Sequence, residues 1–164
     1  MGSFLARFQI KCYFCSQEMR NYEINGILSE TLTLKNDVHE VTKLSSFEKA
    51  LFEKMGLEDA LARQIRLAVE EAVVNVMEYA YPIGEEGEIE VCMTTDGECL
   101  TVVVTDAGRP FDPTLKEGVD ISLSAEERQI GGLGIHLLRG LVDDVRYKYV
   151  NGHNTLTLTK RLKD

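Results

Sequence analysis

The sequence predicts an α+β fold, a two-layer α/β sandwich whose mixed, mostly antiparallel sheet carries its helices on one face. Turn signals at Asp96-Gly97 and Asn151-Gly152 join consecutive strand-like runs, which makes those pairs antiparallel. Two stretches of helical periodicity separate the first strand from the second, and a third precedes the last two strands. The predicted order is strand, helix, helix, strand, strand, loop, helix, strand, strand.

Residues 1–26 show no clear periodicity and end at the turn signal Asn25-Gly26, so they read as an extension of unassigned structure before one domain, 27–164. Residues 27–34 alternate apolar and polar side chains, as a half-buried strand does. Ser45 and Glu48 have the spacing of a capping box, which predicts a helix from there to about Met55, stopped by Gly56. Leu57-Glu58-Asp59 opens a longer helix reaching about Ala80, with Leu61, Ile65, Ala68, Val69, Ala72, Val73 and Val76 as its buried stripe. Pro82 and Gly84 end it. Strands follow at 88–94 and 100–105, then a long loop from Asp106 to Gly132, a length that usually signals function or disorder. A third helix runs from about Gly134 to Leu141, and strands at 144–150 and 155–162 close the chain.

Bulk properties narrow the function. A formal net charge of −9 repels phosphate backbones and anionic membranes, which argues against nucleic acid and membrane partners. Hydrophobic residues at 44% and charged residues at 27% are ordinary for a folded domain. No apolar run approaches the roughly 20 residues that cross a bilayer, and the first residues resemble neither signal peptide nor anchor, so the expected location is the cytoplasm. Cys12-x-x-Cys15 has the spacing of half a zinc site, but no histidine completes it. With Cys92 and Cys99, these read as free thiols in a reducing compartment.

Three motifs carry chemistry. Glu71 and Asn75, four residues apart, share one helix face at the flank of the buried stripe. Asn75 offers a neutral oxygen to a hard cation such as Mg²⁺, and Glu71 a base for an attacking hydroxyl. Taken alone, the pair reads as the polar flank of an amphipathic helix. Asp106-Ala-Gly-Arg-Pro-Phe-Asp-Pro113 follows a hydrophobic strand. Its aspartate could accept from an exocyclic amine such as adenine N6, and Gly108 lets backbone approach a flat ring. An Asx-type turn is the plainer reading. Gly131-Gly132-Leu133-Gly134 precedes an apolar helix, where exposed amides and the helix dipole favour phosphate. A flexible linker is the alternative, and no Gly-Lys-Ser/Thr follows to make a Walker-type loop.

In combination and in this order, the three motifs resemble the nucleotide-binding boxes of the Bergerat-fold ATPases, the superfamily of gyrase, MutL and the histidine kinases. The resemblance covers about residues 27–162. Within it, Glu70-Glu-Ala-Val-Val-Asn75 with Ala80-Tyr-Pro, Asp106 to Pro113, and Gly131-Gly-Leu-Gly-Ile-His-Leu-Leu are similar to the bacterial anti-sigma-factor serine/threonine kinases. That resemblance implies ATP and Mg²⁺ as cofactors, Glu71 as catalytic base and Asn75 as the Mg²⁺ ligand. It assigns Asp106 and Gly108 to adenine and Gly132 and Gly134 to phosphates, with Phe111, Gly131 and Leu133 as further cofactor contacts. Residues 114–130 become the lid, and Asn154-Thr155 the final box, with Thr155 as its cofactor contact. Tyr79 stands where relatives often carry histidine. Pro110 replaces the second glycine usual in sensor kinases, which favours the anti-sigma branch.

The implied function is an anti-sigma factor that phosphorylates a serine on a small anti-anti-sigma partner and sequesters a sigma factor, with a homodimer as relatives form. A nucleotide-gated binding module without kinase activity is the alternative. A detached histidine-kinase catalytic domain ranks third, because His39, His136 and His153 lie in no helical hairpin that presents a phosphoacceptor.

Overall fold

The structure, a computed structural model, describes residues 21–24, 26–115 and 138–163. Strand β2, Ile27–Lys35, sets the pattern of the sheet. Its Leu28, Leu32 and Leu34 turn to the core while Ser29, Thr31 and Thr33 face the other way. Strands β3 (Glu88–Thr95) and β4 (Cys99–Asp106) form the expected hairpin, in which Asp96 Oδ1 accepts from the Glu98 and Cys99 amides at 3.0 and 2.9 Å. Strands β5 (Asp144–Val150) and β6 (His153–Arg161) form the second hairpin, turning at Asn151 and Gly152 with positive φ.

A short strand β1, Asn21–Ile24, pairs with β2, so the sheet has six strands in the order β1-β2-β3-β4-β6-β5. Every pairing among the described residues is antiparallel, where the sequence allowed a mixed sheet. The reason lies in the connection between β2 and β3. Two helices, α1 (Val41–Met55) and α2 (Asp59–Tyr79), intervene there, and the second returns the chain to the end that β2 left. A single crossover helix would have made the pair parallel.

Helix α2 buries Ile65, Ala68, Val69, Ala72 and Val73 as its stripe predicts, with Met77 joining them. Leu61 and Val76 lie partly buried at the stripe's margins. Isoleucine and valine side chains buried to this degree each contribute about 1.5–3 kcal/mol, so this face fixes α2 on the sheet in one core with Val91, Val102 and Val104. Helical residues 138–141 add buried Leu138; the predicted start of that helix at Gly134 falls outside the described residues.

Helix α1 starts four residues before the predicted cap. A 3-10 turn, Val38–Glu40, leads into it, and Asp37 Oδ1 caps that turn by accepting the His39 amide at 2.9 Å. Ser45 and Glu48 therefore sit inside the helix. Ser45 Oγ accepts from Arg66 Nη2 of α2, and the fully buried Glu48 carboxylate lies 3.6 Å from Arg66 Nε. The pattern that resembled a cap serves the interface between the helices.

Among the described residues, Cys92 and Cys99 take part in no disulfide. On the face away from the helices, the buried Ser29 and Thr94 hydroxyls are 2.8 Å apart, and the Cys92 sulfur lies 3.8 Å from each. Cys12 and Cys15 fall outside the described residues.

Candidate functional site

Glu71 and Asn75 occupy adjacent turns of α2, half-buried at the edge of its apolar stripe. Asn75 Nδ2 donates to the Glu71 carbonyl at 2.8 Å and to Glu71 Oε1 at 2.9 Å. Both amide protons are thereby used, which orients Asn75 Oδ1 as an acceptor and leaves Glu71 Oε2 for another donor. The neighbouring carboxylate is differently engaged: Glu70 Oε1 lies 3.7 Å from Arg66, in the cluster that includes Glu48. Of the two adjacent acids, Glu71 is the one coupled to Asn75.

Strand β4 delivers Asp106 at its last residue, and the side chain is buried. Asp106 Oδ1 accepts from the Gly108 amide and from Asn154 Nδ2, both at 2.8 Å. Burial pushes the carboxyl above its ordinary range, while the Asn154 and Gly108 hydrogen bonds and the nearby His153 pull it back down. Both protein donors fall on one oxygen, so Oδ2 is the acceptor left for a ligand.

Asn154, on β6 opposite Asp106, organises this corner. Its Nδ2 also donates to the Arg109 carbonyl at 3.0 Å. Its Oδ1 accepts the Tyr147 hydroxyl at 2.6 Å and the Phe111 amide at 3.3 Å. The Phe111 amide is shared with the Tyr147 oxygen at 3.2 Å. Every hydrogen-bonding position of a buried amide is thus filled, the condition under which such a network rigidifies its surroundings.

Gly108 is required by the protein itself. A Cβ there would meet the Ala80 carbonyl oxygen at 2.5 Å and the Ala80 Cβ at 2.6 Å. The sequence suggested close approach to a ligand ring; what the structure shows is close approach to the end of α2.

These elements enclose a cleft. Ala72, Asn75, Val76 and Ala80 form one wall, Asp106, Arg109, Phe111 and Pro113 a second, and Leu138, Tyr147, Asn154 and Leu156 the remainder. The space between these walls, counted with the open mouth and the solvent in it, is about 480 Å³. An apolar interior with one carboxylate at its floor suits a flat heterocycle that carries an amino group.

The structure therefore brings Asn75, Asp106 and Phe111 to one cleft, with Gly108 behind it and Glu71 attached through Asn75. It sets Thr155 apart. Side chains alternate along β6, so Asn154 and Leu156 face the cleft while Thr155 points to the opposite face. Gly131, Gly132, Leu133 and Gly134 lie outside the described residues, as does the predicted lid from residue 116 onward. Sequence reading placed Asn154 in the final box with Thr155 but missed its role as the hub, and missed Tyr147 as its partner. Beside that resemblance, the local signal was an asparagine, a poor strand former, at the start of an otherwise threonine- and leucine-rich strand.

Among the described residues, no group of three or more histidine, cysteine, aspartate or glutamate side chains could hold a metal. A cation at Asn75 would draw most of its ligands from phosphate and water, the habit of Mg²⁺. No helix among the described residues is long and apolar enough to cross a membrane.

The profile of the histidine kinase-like ATPase domain matches residues 34–160. The serine-protein kinase RsbW of Listeria monocytogenes is 36% identical over 104 residues, covering 61% of this chain and 66% of the relative. The chain thus spans about two thirds of that relative's length. RsbW of Bacillus subtilis is 31% identical over 114 residues, covering 66% of this chain and 70% of the relative. The serine/threonine-protein kinase BtrW of Bordetella bronchiseptica is 27% identical over 135 residues, or 80% of this chain and 94% of the relative. A solved structure of RsbU and RsbW domains from Mycobacterium tuberculosis shares the fold, with a TM-score of 0.59 at 20% identity over 82% of this chain and 32% of that one. The chain belongs to the histidine kinase-like ATPase domain family, in the branch of the RsbW serine-protein kinases.

Proposed function

We propose that this chain is an ATP-dependent serine/threonine protein kinase that also acts as an anti-sigma factor in the cytoplasm. It moves the γ-phosphoryl group of ATP to a hydroxyl of a small antagonist protein, and it holds a sigma factor when unphosphorylated antagonist is absent. One observation carries the reading: Asn75, hydrogen-bonded to Glu71, lines the same cleft as the Asp106 carboxylate. The cleft thus offers an amide oxygen ligand, with a carboxylate base bonded beside it, and an amine acceptor.

In this reading Asp106 Oδ2 accepts from adenine N6, and Phe111 packs on the base. The glycine-rich run Gly131, Gly132, Leu133 and Gly134 takes the phosphates. Asn75 Oδ1, held outward by the two bonds from its own amide, fits a Mg²⁺ ion. When bound, that ion neutralises charge on the β- and γ-phosphates. Glu71 takes the proton as the hydroxyl oxygen bonds to the γ-phosphorus. The bond from that phosphorus to the bridging oxygen breaks, and ADP leaves.

The test is phosphoryl transfer from labelled Mg·ATP to a candidate antagonist. Glu71→Gln should lower transfer by at least about 100-fold while ADP affinity holds. Undiminished transfer by that variant removes Glu71 as the base. Nucleotide binding with no transfer to any candidate would leave a nucleotide-gated binding module.

A further inference from the structure

The turn after β4 rests, residue by residue, on the end of α2. Ala107 donates its amide to the Tyr81 hydroxyl at 3.1 Å. Gly108 lies against the Ala80 backbone with no room for a Cβ. Arg109 donates its amide to the Ala80 carbonyl at 2.7 Å. Tyr81 in turn donates its own proton to the Glu88 carbonyl at 2.9 Å, at the start of β3. Its ring is seated on Gly87, where a Cβ would meet ring carbons at 2.2 Å. One phenol therefore ties together the end of α2, the start of β3 and the turn that closes β4.

That turn also sets Asp106, because the Gly108 amide is one of the two donors holding Asp106 Oδ1. A displacement of Ala107 or Gly108 rotates the carboxylate. Helix α2, on which the turn rests, is the helix that carries Glu71 and Asn75.

We infer that Tyr81 is a positioning residue, which fixes the base-reading turn against α2 and thereby sets selectivity for a purine with an amino group at C6. The inference rests on the adenine-nucleotide reading given above. A 6-oxo purine presents an acceptor to a carboxylate and is rejected. That rejection depends on the carboxylate being held in place, since a mobile one swings away from the clash. Tyr81 touches neither base nor phosphate in this scheme. Its contribution is the loss of freedom at Asp106.

The experiment is calorimetric titration of the full chain with ADP and with inosine diphosphate. Tyr81→Phe keeps the ring and strips the Ala107 amide of its acceptor. Gly87→Ala keeps the hydroxyl and lifts the ring. Each should lower the ratio of ADP affinity to inosine diphosphate affinity by about tenfold, the size of one hydrogen-bonded contact to a charged group. A destabilised but correctly shaped site would weaken both ligands in proportion, so the ratio separates positioning from mere packing. An unchanged ratio in both variants overturns the inference. Wild-type protein that binds neither nucleotide, or does not prefer ADP, overturns the adenine reading, and the role of Tyr81 falls with it. That failure appears in the wild-type arm alone.

Discussion

Glu48 supplies a measurable pH dependence of stability. It lies in α1 with no solvent exposure, and neither carboxyl oxygen has a hydrogen-bond partner. Burial pushes its pKa from the ordinary 4.5 up to about 8, and the Glu70 charge adds to the rise while Arg66, 3.6 Å away, opposes it. The folded protein then keeps the proton at pH values where the unfolded chain releases it. Glu48 carries no penalty below pH 4.5, and stability is lost progressively as pH climbs from 4.5 to about 8. Over that interval, at about 1.4 kcal/mol per pH unit, the loss approaches about 5 kcal/mol.

Glu48→Gln imitates the protonated side chain and cannot ionise. Urea unfolding of both proteins at pH 5, 7 and 9 should show near-equal stability at pH 5. The variant should be more stable by several kcal/mol at pH 9, which at about 2–4 °C per kcal/mol moves the melting temperature by about 10 °C or more. A gap that stays constant from pH 5 to pH 9 refutes the reasoning. It would mean that Arg66 keeps Glu48 ionised throughout and that the pair repays its own desolvation.

Gly108→Ala forces a Cβ onto the Ala80 backbone, so it should cost about 1–3 kcal/mol in denaturant melts and abolish ADP binding by calorimetry. Asn154→Ala frees Asp106 Oδ1 from one donor and leaves the Tyr147 hydroxyl without its acceptor. It should weaken ADP about tenfold, with the loss setting in at higher pH than in wild type, because a donor that holds the Asp106 carboxyl down is gone. Asn75→Ala should erase the difference between ADP titrations with and without Mg²⁺ while leaving adenosine binding unchanged. Retention of that difference would assign the cation to other ligands.

Much of this fold is written in local spacing. The α2 stripe from Ile65 to Val73 and the turns at Asp96-Gly97 and Asn151-Gly152 each reflect a preference that survives folding. The failures have one physical origin, which is that they depend on a partner distant in sequence. Ser45 and Glu48 match a capping box, yet their geometry is decided by Arg66, 21 and 18 residues away. Strand β1 has only four residues, too few for alternation to register, and exists through pairing with β2. In the site, Glu71 and Asn75 are marked by their spacing on one face of α2, and Asp106 and Gly108 by the end of β4. Asn154 shares the final box with Thr155, but its role as hub is evident only once β6 is laid against β4, and the step of one residue from Thr155 to Asn154 reverses the face of the sheet. The role of Tyr81 is non-local in the same way, since its hydrogen bonds reach Glu88 at the start of β3 and Ala107 in the turn after β4.

The two halves of the cleft are built from materials of different stiffness. Asp106 closes β4, an interior strand paired with β3 on one side and β6 on the other, and Asn154 is the second residue of β6, itself bonded on both sides. Glu71 and Asn75 ride on a helix held to the sheet by side-chain packing alone along its length. In native-state hydrogen exchange the wall that carries Asp106 and Asn154 should open only with the whole molecule, whereas the helix that bears Glu71 opens in smaller excursions. On warming or in mild denaturant, the site should therefore lose its ability to transfer before its ability to recognise, passing through a state that still holds nucleotide and no longer spends it.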